Sequence, residues 1–418
     1  MTQVRVDLLP FPEGIFPMSS AWRNSTWILL GSSLILAISL GVRHGFGLFL
    51  SPMSTEFGWG REVFAFAIAL QNLIWGLAQP FTGALADRFG VTRVVLIGGV
   101  LYAVGLVLMA LADTPTSLSL SAGLLIGVGL SGTSFSVILG VVGRAAPPEK
   151  RSMAMGIAAA AGSFGQFAML PGTLGLIGWL GWSSALLALG LLVALIVPLA
   201  AMLRGGPAVA DTGPRQSLLE ALREAVGHSG FRLLALGFFV CGFQVVFIGI
   251  HLPAYLVDRG LPATAGTTVL ALVGLFNIAG TYTAGWLGGR YSKPKLLTGL
   301  YLMRAVVIST FFFAPLTLWT AYGFGIAMGL LWLSTVPLTN GTVATLFGVR
   351  NLSMLGGIVF LFHQIGSFFG GWLGGWVYDR TGSYDLVWQI SIALCFMAAA
   401  LNWPIREQPV ARMRLETA

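Results

Sequence analysis

A chain of 418 residues that is 56% hydrophobic and only 9% charged could not cover its own surface in water, because an ordinary soluble domain is roughly 25% charged. The lipid bilayer is therefore the expected solvent. The net charge of +8 raises a nucleic-acid partner, and the placement of the cations along the chain argues against one.

Residues 1–26 contain Asp7, Glu13 and three prolines and lack the basic-then-apolar order of a cleaved signal. They are read as a cytoplasmic tail along the membrane surface. A spanning helix needs about 20 apolar residues, and six such runs follow at 27–50, 62–86, 93–112, 118–142, 152–176 and 182–203, making a first half, 27–203. Residues 204–230 break the pattern. Gly205-Gly206-Pro207 and then Arg215, Glu220, Arg223 and Glu224 have the composition of a cytoplasmic linker, with a surface helix in its later part. Six further runs at 231–257, 263–288, 295–314, 318–343, 352–378 and 384–404 make a second half, 231–405, followed by a cytoplasmic tail, 406–418. With the amino terminus inside, Arg61, Arg259 and Arg380 fall outside and Arg43 and Arg304 lie within the membrane, leaving 18 of the 23 Lys and Arg residues on the cytoplasmic side. This positive-inside asymmetry predicts a multi-pass protein of the cell (inner) membrane with both termini cytoplasmic. No nucleic acid is needed to explain the charge. Cys241 and Cys395 both sit inside apolar runs, so no disulfide framework is implied.

The two halves are related. Gly83-Ala84-Leu85-Ala86-Asp87-Arg88-Phe89-Gly90-Val91-Thr92-Arg93 has an echo about 202 residues later, Gly285-Trp286-Leu287-Gly288-Gly289-Arg290-Tyr291-Ser292-Lys293-Pro294-Lys295, in which Gly289 replaces Asp87. Ser152-Met153-Ala154-Met155-Gly156-Ile157 matches Ser353-Met354-Leu355-Gly356-Gly357-Ile358, and Glu56 and Gly58 match Asp258 and Gly260. Three matches near one spacing indicate an internal duplication.

Six spans, a linker and six related spans resemble the major facilitator superfamily, and Gly83 to Arg93 looks like its signature between the second and third helices. The resemblance implies an all-α membrane protein of twelve transmembrane helices in two pseudo-symmetric six-helix bundles, with a monomer as the family default. It further implies a conformational-switch loop of Gly83, Asp87, Arg88, Gly90 and Arg93. Asp87 would lie near the amino end of the eleventh helix, where the dipole favours negative charge, with Arg88, Arg93 and Arg144 as basic neighbours. The plainer reading is that these residues only cap helices and set topology. Within the superfamily, Gly41-Val42-Arg43-His44-Gly45-Phe46-Gly47-Leu48-Phe49 and Gly370-Gly371-Trp372-Leu373-Gly374-Gly375, with Tyr378-Asp379 and Gly382-Ser383-Tyr384, resemble the oxalate/formate antiporter and monocarboxylate porter branch. One departure matters. That branch often carries an arginine in the eighth helix, and Gly274 occupies the corresponding place here.

An ionisable side chain inside a bilayer is costly and so a functional suspect. The inventory is Arg43, His44, His251, Arg304 and His363, while all 15 carboxylates fall at helix ends, in loops or in tails. A pore lined by cations prefers an anion. Arg43, deep in the first span, is the expected substrate anchor, since arginine keeps its charge and grips a carboxylate with two parallel hydrogen bonds. His363 is second, near the midplane where transporters place their sites. In the resembling branch its position carries a lysine in some members. His44 and His251 follow, and either could be an ordinary buried hydrogen-bonding residue. All three histidines are candidates for proton coupling. Arg304 is read as structural. Asn72, Trp75, Gln166, Asn277, Asn340 and Gln364 could orient a substrate, although polar side chains also join membrane helices.

Gly127-Val128-Gly129-Leu130-Ser131-Gly132 fits a dinucleotide fingerprint by letters but lies inside an apolar span with no strand before it, so helix packing explains it. The four histidines lack close metal-ligand spacing. No cofactor is expected and no soluble catalytic constellation is visible. The chain reads as a secondary transporter, not an enzyme, for a small organic anion such as a monocarboxylate, working by alternating access with protons or a counter-substrate as candidate drivers. Its rivals are a drug or amphipath exporter of the same fold and, in another class, a membrane receptor or histidine-metal enzyme.

Overall fold

The computed structural model describes residues 20–146, 151–203, 218–348 and 352–410, and among them there are helices and turns but no strand. Twelve long helical elements cross the molecule: α1 (Thr26–Phe57, with a 3₁₀ turn at Phe46–Phe49), α2 (Arg61–Phe89), α3 (Val91–Ala110), α4 (Pro115–Val142), α5 (Arg151–Leu180) and α6 (Trp182–Leu203). A short helix, Leu218–Gly227, lies where the linker's surface helix was expected. Then come α7 (Ser229–Asp258), α8 (Ala263–Gly288), α9 (Lys293–Phe313), α10 (Leu318–Phe347), α11 (Leu352–Thr381) and α12 (Asp385–Asn402). Eleven of the helices among the described residues are long and apolar enough to cross a membrane. The remaining one, α5, has 30 residues, but its six glycines and Gln166 dilute its hydropathy. It packs against α1 and α8 and leaves Ile157, Phe164 and Trp179 exposed on its outer face.

The packing repeats between halves. α1 lies along α5 as α7 lies along α11; α2 packs on α4 as α8 packs on α10; α3 packs on α6 as α9 packs on α12. The halves meet where α2 crosses α11 and where α8 crosses α5, two contacts exchanged by the same duplication. Each half has its own apolar core, and only a few side chains, among them Leu48, Leu170, Val246 and Ile250, belong to the core of the opposite half. The turns repeat as well. Gly58 and Gly260 (φ 64° and 86°) and Gly181 and Gly382 (φ 79° and 68°) sit at corresponding sharp reversals, where a side chain would strain the left-handed backbone.

Lipid tails are as apolar as leucine, so close backbone approach holds such helices together. At the α1–α5 crossing a Cβ on Gly165 would lie 2.1 Å from the Ala37 carbonyl, and at the α7–α11 crossing one on Gly366 would lie 1.9 Å from that of Phe239. One turn on, a Cβ on Gly41 would meet the Met169 side chain in the first half, and one on Gly370 the Phe243 carbonyl in the second. The glycine has moved to the other helix of the crossing.

The loop expected around Gly83 to Arg93 is tighter than anticipated. α2 continues to Phe89 and Gly90 alone (φ 93°) turns the chain into α3, because one residue at positive φ suffices to end one helix and begin the next. Arg93 is exposed. The side chains of Asp87, Arg88, Arg144, Ser152 and Met153 lie outside the described set, as do residues 1–19, 204–217 and 411–418 of the expected tails and linker.

Candidate functional site

Where α1 and α7 meet, the molecule closes on itself. A Cβ on Gly47 would lie 2.2 Å from the carbonyl of Gly249, the residue 202 positions on, so the contact sits on the pseudo-two-fold. Next to it is a small cavity of about 30 Å³ lined by α1, α2 and α7, room for a few waters.

Its two walls differ in character. From the first half come the polar Arg43, His44, Gln71 and Asn72 together with Phe46, Gly47 and Ile68; from the second come only the apolar Val245, Val246, Gly249 and Ile250. Arg43 is held by α2. Its Nη2 donates to the Asn72 side-chain carbonyl, and its guanidinium carbon lies 4.9 Å from the centre of the Trp75 ring. Among the described residues its Nε has no hydrogen-bond partner and no carboxylate pairs with it. Asn72 is itself braced by its Nδ2 donating to the Ile68 carbonyl (2.7 Å), and Trp75 Nε1 donates to Gln79 (2.8 Å) and Ser134 (3.0 Å). His44 Nδ1 is 2.6 Å from the Leu40 carbonyl. That nitrogen therefore carries the hydrogen, and Nε2 of the neutral ring is an acceptor. Gln71, absent from the expectations above, donates to the Ala122 carbonyl (2.7 Å) and leaves its Oε1 without a partner. A glutamine on an apolar span was the signal for it.

The other expected residues lie elsewhere. His363 is buried between α7 and α11, stacked on Phe360 (5.6 Å) and beside Phe238 (4.8 Å), and does not line the cavity. It reaches the site through intermediaries: its Nδ1 is 3.0 Å from Gln364 Oε1, and Gln364 Nε2 donates to the Asn72 backbone carbonyl at 3.2 Å. Gln166 donates to the Leu270 carbonyl (3.1 Å), next to Gly274. Asn277 joins Ser163 (3.1 Å) to the Leu333 amide (2.9 Å). Both act across helix contacts, and Asn340 is exposed on α10. Arg304 is fully buried away from the cavity. It donates to the carbonyls of Leu331 (2.7 Å) and Trp332, where α10 bends, and to Gln244 (3.0 Å). Among the described residues no cluster of three or more histidine, cysteine and carboxylate side chains is placed to hold a metal ion.

His251 belongs to a second constellation on the face opposite the Gly83–Arg93 turn. Arg61, at the start of α2, forms a two-pronged ion pair with Asp258 at the end of α7, both oxygens at 2.7 Å. It also stacks on Tyr378 (3.9 Å) and donates to the Tyr384 hydroxyl (3.0 Å). Asp379 of α11 accepts the backbone N–H groups of Arg61 (2.9 Å) and Glu62 (2.7 Å). Glu62 accepts from Trp372 (3.0 Å) and Arg380 (3.3 Å). Every one of these contacts joins the first half to the second. The sequence sorted Arg61 and Arg380 only as loop cations; the matching carboxylates at the same helix ends were the unread signal.

Comparison with known proteins agrees with this architecture. Residues 29–347 match the family model described as Major Facilitator Superfamily. Mouse monocarboxylate transporter 11 is 28% identical over 397 residues, covering 90% of this chain and 86% of its own length. Bovine monocarboxylate transporter 13 is 27% identical over 369 residues (85% and 83%). An uncharacterized MFS-type transporter of Bacillus subtilis, YcxA, is 24% identical over 405 residues (92% and 95%). Among solved structures, a bacterial homologue of the human lysosomal transporter Spinster, in an inward-facing and occupied conformation, superposes with a TM-score of 0.68 at 16% identity, over 92% of this chain and 97% of that one.

Proposed function

The chain belongs to the Major Facilitator Superfamily and is a membrane transporter, and from that premise we propose that it carries a small organic anion, a monocarboxylate or related acid, by alternating access. The observation that carries this reading is Arg43: a guanidinium at a cavity between the halves, with an amide and an indole for company and, among the described residues, no carboxylate to neutralise it. A cation in low dielectric calls for an anionic partner, and a migrating acid supplies one. The relatives that bear the name monocarboxylate transporter support the same class.

The walls divide the work. A carboxylate would bond the Arg43 guanidinium beside Asn72, while the short aliphatic remainder would lie against Val245, Val246 and Ile250 of α7. Binding one end of the ligand to each half rewards closure of the bundles around it, which is the requirement for a rocking carrier. A proton or a counter-anion drives the cycle.

The test is transport of radiolabelled short-chain monocarboxylates into proteoliposomes. Arg43→Gln should abolish uptake while the purified protein keeps its elution profile and unfolding midpoint. Unaltered affinity of Arg43→Gln for every acid that the parent carries, or a parent that carries only organic cations, would remove the anion assignment.

A further inference from the structure

Resting on the transport reading but independent of which solute is carried, the geometry points to His251 as a proton-binding residue that unlocks the face closed by Arg61 and Asp258. We propose that a proton taken up at its Nδ1 breaks a relay through Tyr384 and lets the halves part there.

The hydrogen positions follow from the acceptors. His251 is 1% exposed, and its Nε2 lies 2.7 Å from the Gly371 carbonyl of α11, which can only accept. Nε2 therefore carries the hydrogen. In the neutral ring Nδ1 is then a bare acceptor, and 3.2 Å from it is the Tyr384 hydroxyl. A phenol, with an ordinary pKa near 10, keeps its hydrogen at physiological pH, so Tyr384 donates to Nδ1. Its oxygen in turn accepts from Arg61 Nη1 at 3.0 Å. The relay thus runs in one direction, from Arg61 through Tyr384 to His251 and on to the carbonyl of Gly371, and each group makes the bond its chemistry allows.

A second proton on the imidazole reverses the middle link. Nδ1–H can no longer accept, so the Tyr384 hydrogen loses its partner in a buried site where an unsatisfied donor is costly. A new positive charge also stands one phenol away from the Arg61 guanidinium. Both effects oppose the arrangement in which Arg61 grips Asp258. The titratable and charged groups around the ring are few. They are Tyr384 ahead of α12, Arg61 from α2 with its partner Asp258, Tyr255 one turn along α7 with the Arg259–Asp385 pair beyond it, and Tyr378 and Asp379 past the carbonyl and glycines that α11 presents. The carboxylates among them, Asp258, Asp379 and Asp385, are already occupied, Asp258 by Arg61, Asp379 by the two amides and Asp385 by Arg259. A Cβ at Gly374 would lie 2.4 Å from the imidazole, so the ring has no space in which to turn away from the conflict.

The experiment needs no transported solute. Full-length protein in nanodiscs is spin-labelled at Thr116→Cys and Trp319→Cys, exposed positions near that face on opposite halves; the native Cys241 and Cys395 are buried. Distances are measured by pulsed dipolar spectroscopy between pH 8 and pH 5. The parent should gain several-fold in the long-distance population on acidification. His251→Gln, which can donate to Gly371 and accept from Tyr384 but cannot take the proton, should stay short at both ends of the range. Tyr384→Phe, which deletes the relay, should lose the pH response. A parent without a pH response, or a His251→Gln protein that keeps it, overturns the proposal. If the glutamine variant does not fold, retention of the response in Tyr384→Phe overturns it just as well. Failure of the anion reading would appear only in the Arg43 uptake assay and would leave these distances unchanged.

Discussion

Two arginines inside one membrane protein show how little the residue alone decides. Arg304 donates to two backbone carbonyls at the bend of α10 and to Gln244, with only its Nε unpartnered; it ties α9 to the break and to α7. Arg43 has one amide acceptor and an aromatic face beside a cavity. Replacing Arg304 with methionine should therefore strand carbonyls that it satisfies, at about 1–3 kcal/mol each, and lower the thermal unfolding midpoint in detergent. Arg43→Met should leave that midpoint unchanged or higher. The presence of both charges in the bilayer could be read from the sequence. Which was held by several acceptors and which by one could not, because the acceptors of Arg304 are main-chain carbonyls and a glutamine more than 25 residues away, and main-chain carbonyls leave no letter. Gln71 escaped notice for the related reason that its neighbours, not its type, leave an acceptor idle.

At the scale of helices, the duplication was legible in the turns and faint in the spans. Glycines at reversals cannot be exchanged without strain, so Gly58 and Gly260 still correspond. In the α1–α5 and α7–α11 crossings, by contrast, close approach needs a glycine on only one of the two helices. Gly41 supplies it on α1 and Gly370 on α11, which erases letter-by-letter identity while keeping the crossing. Gly370→Met alone should be severely destabilising, since a Cβ there would meet the Phe243 carbonyl at 2.1 Å. Adding Phe243→Gly should restore little of the loss, because the obstacle is a main-chain carbonyl that a glycine keeps. A double-mutant cycle on unfolding midpoints, with a coupling below the ~0.5–3 kcal/mol of touching side chains, checks this. The turn after α2 was misjudged because a lone glycine at positive φ does the work for which a six-residue loop was reserved.

For the molecule as a whole, the twelve-helix plan follows from composition and charge placement, whereas the state of the carrier does not. Nothing in the letters says which face is shut. The pairing of Arg61 with Asp258 and of Glu62 with Arg380 closes the face opposite the Gly83–Arg93 turn, and these partners are about 200 and 320 residues apart. Asp258→Asn should shift the population toward opening there, roughly tenfold for each 1.4 kcal/mol of lost pairing. The shift would be read as faster labelling by an impermeant thiol reagent of a cysteine placed at Gly249, and it should leave the unfolding midpoint nearly unchanged.

Asp379 gives that closure one more consequence. The first two amides of α2 have no acceptor of their own and borrow a carboxylate from the other half. When the halves separate, α2 must surrender its first turn to solvent, so secondary structure itself becomes a recorder of the cycle. Deuterium uptake at residues 61–64 should rise and fall with each opening, and an asparagine at 379 should leave that turn frayed even while the carrier is shut.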